Sequence, residues 1–232
     1  DEFHKTLEAR ESFSIDSYYL QNDEVYGSFG SVVRFQNNLS FSFFSEFNPK
    51  AFQDVMVFSQ TFDPIFNLII IGGEHDAVKL CSMASILGWQ VDVVTTIKDP
   101  KKISDFPGAS SVTSSTPELF KGNSIGTKTG IIIMNHSYVL DLQFLLKLQH
   151  TAQAYLGILG APNRRDRMFN DLFEHYPAIS EEFLDTIYMP AGLHIGAKTP
   201  EEIALSILAE ILTVIREKTP FFLKDSIGSL NI

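Results

Sequence analysis

The stretch Asn67-Leu68-Ile69-Ile70-Ile71-Gly72-Gly73 constrains this chain more than any other. An unbroken apolar run of that length, ended by paired glycines, reads as a strand buried on both faces, which is the signature of a parallel sheet covered by helices. Ala77, Leu80, Cys81, Ala84 and Leu87 then recur at helical spacing up to Gly88, and Trp89 to Thr95 reads as the next strand. The result is a βαβ unit whose crossover is right-handed. Ile131-Ile132-Ile133-Met134 is another buried strand, followed by a helix through Leu142, Leu145, Leu146 and Leu148. Tyr155 to Leu159 is a further strand, and Asn163 to Tyr176 reads as a helix. Thr199-Pro200-Glu201-Glu202 opens a last helix with a capping box and proline at its first position, and Ala204, Ile207, Leu208, Ile211 and Ile215 form its apolar stripe. These alternations predict an α/β fold: a Rossmann-like, doubly wound, mostly parallel sheet with helices on both faces.

The segment before Pro64 is different. It holds about half of the twenty phenylalanines and reads as strands with period two. Ser31 to Gln36 and Leu39 to Phe44 flank Asn37-Asn38, a hairpin candidate because asparagine tolerates the left-handed backbone of a two-residue turn. The predicted organisation is a small N-terminal β-rich segment over 1–63 packed on the main domain, a Rossmann-like domain over 64–218 and a loosely held tail over 219–232. The chain begins at Asp1 without a methionine, so the natural start is expected to lie upstream.

With 232 residues the chain buries enough surface to fold without a disulfide or structural metal. Its single cysteine, Cys81, excludes an intramolecular disulfide and a thiolate zinc site, and on the apolar helix face it reads as core. Six scattered histidines give no metal-binding pair. A formal charge of −10 repels phosphate backbones and anionic lipid, so neither nucleic acid nor membrane is an expected partner. The apolar run at Ile65–Ile71 is too short to cross a bilayer, no leader opens the chain, and a reducing, cytoplasmic setting is expected.

Three places carry candidate chemistry. Gly72-Gly73-Glu74-His75-Asp76-Ala77 occupies the turn where a dinucleotide fold holds phosphate, but Glu74 stands where backbone would approach a pyrophosphate, and Thr95 where an acid would hold a ribose. The turn therefore reads as a tight strand-to-helix connection whose helix N-terminus still offers N–H groups to an anion. Asn135-His136 sits at a strand C-terminus, where His136 suits ligand contact or proton transfer; Asp141 either orients it or charges the start of the next helix. Gly157 and Gly160 precede Arg164-Arg165, either an anion-binding pair or a solvated helix start. Pro190-Ala191-Gly192-Leu193-His194-Ile195-Gly196 is a glycine-punctuated loop, either a cover for a crevice or an ordinary connection.

These segments, together with Phe106-Pro107 and the long run from Pro190 to Ile211, resemble the xanthine dehydrogenase accessory protein family, the XdhC/CoxI group. The resemblance runs from Asn67 to Val214. It implies a Rossmann-like domain and a chaperone-like, non-enzymatic role: binding molybdenum cofactor (molybdopterin) as cargo, aiding its sulfuration, and delivering it to a xanthine dehydrogenase-type molybdenum hydroxylase. A cysteine desulfurase as second partner and a homodimer are implied with it. By the same resemblance Gly72, Gly73, His75, His136 and Asp141 would line the cofactor crevice. Gly157, Gly160, Arg164 and Arg165 would complete it. The chain departs from the family pattern at Glu74, Thr95, Asn135 (usually threonine) and His194 (usually aspartate), and its N-terminal part is short and lacks a cysteine-bearing segment. Two other functions stay open on the same scaffold: an NAD(P)-dependent oxidoreductase binding a nucleotide, and a ligand-free paralogue that binds only partner proteins.

Overall fold

The structure is a computed structural model; it describes residues 2–19, 30–43, 55–122, 125–176 and 178–225. The chain divides into two compact units, residues 1–65 and 66–232.

The first unit holds helix α1 (Glu2–Glu8) and strands β1 (Phe13–Tyr19), β2 (Gly30–Phe35), β3 (Ser40–Ser42) and β4 (Met56–Phe62), in an antiparallel sheet of order β3-β2-β1-β4. The period-two reading holds for these strands. Register places Phe13, Ile15, Val33, Phe35 and Phe62 on one face, and Asp16, Arg34 and Ser59 on the other. Arg34 and Ser59 both donate to Asp16 there. The opening residues form a helix rather than a strand, because Phe3 and Thr6 share a helical face: Thr6 is buried, and the Phe3 ring meets Phe13 edge-on at 5.1 Å. The hairpin forms between β2 and β3, with Arg34 opposite Ser40. Its loop is one residue longer than predicted. Phe35 exchanges backbone bonds with Leu39 and Asn38, and only Asn38 takes a positive φ (64°). That is the three-residue solution, a turn closed by one left-handed residue. Phe44, at the end of the second predicted strand, lies outside the described residues.

The second unit is a six-stranded sheet, every adjacent pair parallel, of order β10-β9-β8-β5-β6-β7. Its strands are β5 (Asn67–Ile71), β6 (Gln90–Thr96), β7 (Ser111–Ser115), β8 (Thr129–Ile133), β9 (Tyr155–Ile158) and β10 (Ile187–Tyr188). Every residue of β5, β8 and β9 is buried, as two helical layers require. Helices α2 (His75–Ile86) and α6 (Pro200–Ile215) pack on one face over Leu68, Ile70, Val91, Val93 and Ile132. Helices α3 (Tyr138–Lys147), α4 (Pro162–His175) and α5 (Glu181–Asp185) cover Ile69, Ile71, Ile131, Ile133 and Ile158 on the other. Cys81 lies fully buried in the first of these layers, where burial pushes its thiol up to about 11.

The edge strands β7 and β10 were not legible in the sequence. Ser111-Val-Thr-Ser-Ser is too polar to stand out and β10 has two residues; both are fixed by pairing with a neighbour. Past α6, Phe221–Asp225 is exposed, with a single 3₁₀ turn at Leu223–Asp225, and residues 226–232 lie outside the described residues. Among the described residues no helix is long and apolar enough to cross a membrane.

Candidate functional site

The strand order reverses direction between β5 and β8. The helix after β5 crosses on one face and the helix after β8 on the other, so the C-terminal ends of these two strands open onto a crevice that neither connection covers. The residues at those two ends build the site.

Gly72 ends β5. Its N–H donates to Val94 at 2.9 Å, and Met134 donates to Ile71 at 2.8 Å, which zips the ends of β6, β5 and β8 together. A Cβ on Gly72 would lie 2.5 Å from the backbone oxygen of Met134, and its φ of 154° adds to the demand for glycine. This glycine lets two strand ends meet at the crevice floor. Glu74 is the N-cap of α2 in ordinary extended conformation (φ −84°, ψ 173°), its exposed side chain making no cap bond. The first N–H groups of α2 have no intrahelical acceptor and point out of the helix end.

On the β8 side Asn135 and Asp141 form the anchor. Asp141 lies in the first turn of α3 and is fully buried. Its Oδ1 accepts from the Asn135 backbone at 3.2 Å and the Asn135 side chain at 2.9 Å. Its Oδ2 accepts from Arg164 Nη2 at 2.7 Å. Burial pushes this carboxyl above its ordinary range, while Asn135 and Arg164 pull it down. Arg164 also donates Nη1 to the Leu159 carbonyl at 3.0 Å, so two bonds fix the plane of its guanidinium. Gly160 makes room for the arginine: a Cβ there would stand 3.0 Å from Arg164 Cδ. The carboxylate thus orients Arg164 rather than His136. The histidine, at φ 57°, turns toward α2, with Nε2 3.6 Å from Asp76 Oδ2. Such a backbone is uncommon for a residue with a side chain.

Of the remaining sequence-derived positions, Gly73 and His75 flank the N-cap of α2, while Gly157 and Arg165 lie away from the crevice. Gly157 is inside β9, where Ile132 and Tyr155 side chains fill the space of a Cβ at 2.6 and 2.7 Å; its geometry is that of close strand packing. Arg165 lies on the exposed surface of α4, over the Phe169 ring at 4.9 Å. His75 is exposed at the start of α2. Gly73 has Thr95 Cγ2 3.4 Å and Lys101 Cγ 3.6 Å from its Cβ position. Thr95 is buried and bonded to Ser114 Oγ at 2.9 Å, its hydroxyl engaged within the sheet.

Lys101 is the residue that sequence reasoning missed. It lies in the loop after β6, beside Gly73, and its ammonium pairs with Asp99 at 2.7 Å in the field of Glu74 and Asp105. These carboxylates hold it above its usual range, Asp99 first. No motif marks it; only the position of that loop, after the second strand of a doubly wound sheet, points to it.

The glycine-punctuated loop is tied down at its base. Ala191 donates to Ile158, Gly192 to Glu210 Oε2 at 2.9 Å, and Leu193 to Ser206. Tyr155 donates its hydroxyl to the same Glu210 oxygen at 2.5 Å. This stretch joins the sheet to α6, while His194, Ile195 and Gly196 are exposed.

Residues 68–211 match the family model described as the XdhC Rossmann domain. The chain is 30% identical over 161 residues to a Bacillus subtilis (strain 168) protein whose name makes it a probable component of xanthine dehydrogenase, covering 69% of this chain and 46% of that one. It is 29% identical over 154 residues to the Escherichia coli (strain K12) protein YqeB, covering 63% and 27%. Among solved structures, one titled xanthine dehydrogenase, from Bacillus halodurans, superposes with a TM-score of 0.72 at 24% identity, over 97% of this chain and 65% of that one. The chain thus spans less than half the length of both curated relatives. With residues 68–211, most of its second unit, matched by the family model, the chain belongs to the XdhC family.

Proposed function

We propose that the protein is a non-enzymatic accessory factor that holds molybdenum cofactor while its terminal sulfur is installed, then passes it to a xanthine dehydrogenase-type hydroxylase. The observation that carries this reading is the pairing, across one crevice, of the α2 N-terminus, at the strand end closed by Gly72, with an arginine fixed by a buried carboxylate. The pterin's phosphate is a dianion, and helix amides and a plane-locked guanidinium are the donors such a group fits. Asp141 and Leu159 use two of the Arg164 donors and leave the others for cargo. The Lys101 stem lies beside Gly73, its ammonium paired with Asp99.

Family membership supports the reading, as does the name of the Bacillus subtilis relative. The sulfur donor in it is a cysteine desulfurase, as the family resemblance implies; Cys81 itself is buried in the core with its thiol pushed up to about 11. In this reading the protein acts in the cytoplasm as a homodimer. The nucleotide alternative has less support, because Thr95 is turned into the sheet where an acid would hold the ribose.

The test is pterin content after anaerobic purification from a host that makes molybdopterin. Near-equimolar pterin is expected from the wild-type chain. Arg164→Ala should lower it more than tenfold, whereas Arg165→Ala should leave it within twofold. Glu74→Gly should raise retention by removing a carboxylate from the phosphate end of the crevice. Absence of pterin from the wild type, with hydroxylase maturation insensitive to Arg164→Ala, would overturn the reading.

A further inference from the structure

The ground beside Gly73, between the ends of β5 and β6, is filled by side chains. Thr95 bonds its hydroxyl to Ser114 at 2.9 Å, which leaves its methyl toward the turn, with Cγ2 3.4 Å from the position of a Cβ on Gly73. The Lys101 stem covers the same glycine, with Cγ at 3.6 Å. The loop holds that lysine in place. The Asp99 N–H donates to Thr96 Oγ1 at 3.3 Å, the Lys102 N–H donates to Asp105 Oδ2 at 2.8 Å, and the Lys101 ammonium pairs with Asp99 at 2.7 Å. The Lys101 side chain is 31% exposed and that of Asp99 66%, so the lysine is the packed member of the pair.

A doubly wound sheet that takes a dinucleotide uses this ground. The diphosphate lies against the backbone of the third residue of the turn, and the adenosine ribose lies over the end of the second strand. Here the third residue is Glu74. Its backbone is ordinary extended chain, so nothing in the turn's conformation calls for this residue or for glycine. Its carboxylate is exposed, makes no cap bond, and lies close enough to Lys101 to help hold that ammonium above its usual range. An entering diphosphate would meet side-chain bulk and a like charge. Its ribose would meet a lysine stem and a methyl where an acceptor is needed. We infer that Glu74 and Lys101 close the nucleotide half of the crevice, which makes the site selective for a ligand ending in a single phosphate over one joined through a diphosphate to a nucleoside. The selectivity is achieved by obstruction rather than by an added contact. Its positive side rests on the cargo reading of the crevice; the closure belongs to these two side chains alone.

The experiment uses the full chain with ADP as the probe, followed by calorimetry. The wild type is expected to show no saturable binding up to about 1 millimolar. Glu74→Gly combined with Lys101→Ala should bind ADP with a Kd at least tenfold below that limit. Glu74→Gly combined with Lys101→Met, which keeps the stem and removes the charge, should stay closed. Both positions tolerate the changes: glycine is an accepted N-cap, and an exposed ion pair contributes little to stability. Saturable ADP binding by the wild type would overturn the inference, as would failure of the glycine–alanine variant to gain it or an equal gain by the glycine–methionine variant. A second readout uses the bound cargo, as nucleotide released by acid per pterin, from a host that makes the cofactor with and without an attached nucleotide. The wild type should release less than about a tenth of an equivalent, and the glycine–alanine variant at least tenfold more. Nucleotide-bearing cargo in the wild type would overturn the selectivity. Absence of any pterin would instead overturn the cargo reading, with ADP binding still deciding whether the nucleotide half is closed.

Discussion

At the scale of single residues, Asp141 is the most informative position in the site. It is a buried carboxylate with both oxygens engaged, one by Asn135 and one by Arg164. Desolvation outweighs those partners and lifts its pKa above the ordinary 3.8, so the folded chain holds this proton more tightly than the unfolded chain does. The stability this group contributes is therefore present at low pH and is lost as pH rises from the unfolded value through the raised folded one. The difference in unfolding free energy between wild type and Asp141→Asn should accordingly shrink as pH climbs through that window, measured by urea titration at a series of pH values. A difference that grew with pH would mean that the Arg164 pair dominates instead. The types of these residues were readable in the sequence, but their partnerships were not. Asp141 and His136 are five positions apart, and a direct link was the natural alternative to helix charging. The left-handed backbone at His136 turns that side chain to Asp76, and the carboxylate is taken by Asn135 and by an arginine 23 positions downstream. Spacing along a chain does not reveal such a turn.

At the scale of elements, the best sequence signals were local and apolar. The capping box of α6 forms as read: Glu202 N–H donates to Thr199 Oγ1 at 3.2 Å, and Glu202 Oε2 accepts from Lys198 and Thr199 backbone at 2.6 and 3.0 Å. Thr199→Ala should therefore cost ~1 kcal/mol, read as a lowered Tm, with Thr199→Ser restoring most of it. The same helix buries Ala204, Ile207, Leu208 and Ile211 against α2 and the sheet, which is why its stripe was legible. β7 and β10 were illegible for the converse reason. Their positions come from hydrogen bonds supplied by β6 and β9, and a polar or two-residue segment carries no periodicity of its own. The helix at Glu2–Glu8 was obscured by the phenylalanine-rich strands that follow it.

At the scale of the whole molecule, each of the two units has its own sheet. The second carries two apolar layers, one on each side of β5, β8 and β9, built, among the described residues, from residues 66–215. A chain starting at Phe66 should thus fold by itself, with a single cooperative urea transition and native-like amide protection in β5 and β8. Loss of that protection would show that residues 1–65 are needed to complete the parallel domain. The strand alternation disclosed this domain because three fully buried strands must be apolar throughout. The crevice followed from strand order, which no single segment encodes.

That strand order also makes the domain divisible. Residues 66–115 hold β5, α2, β6 and β7, and residues 129–215 hold β8 to α6. The two parts meet along the β5–β8 ladder and the α2–α6 contact, and they are joined by the connection after β7. A cut in that connection leaves Gly72 and Asp76 on one fragment, and His136, Asp141 and Arg164 on the other. Neither fragment alone contains the crevice, so the domain is a natural split reporter: recovery of its ligand site would register reassociation of the two halves.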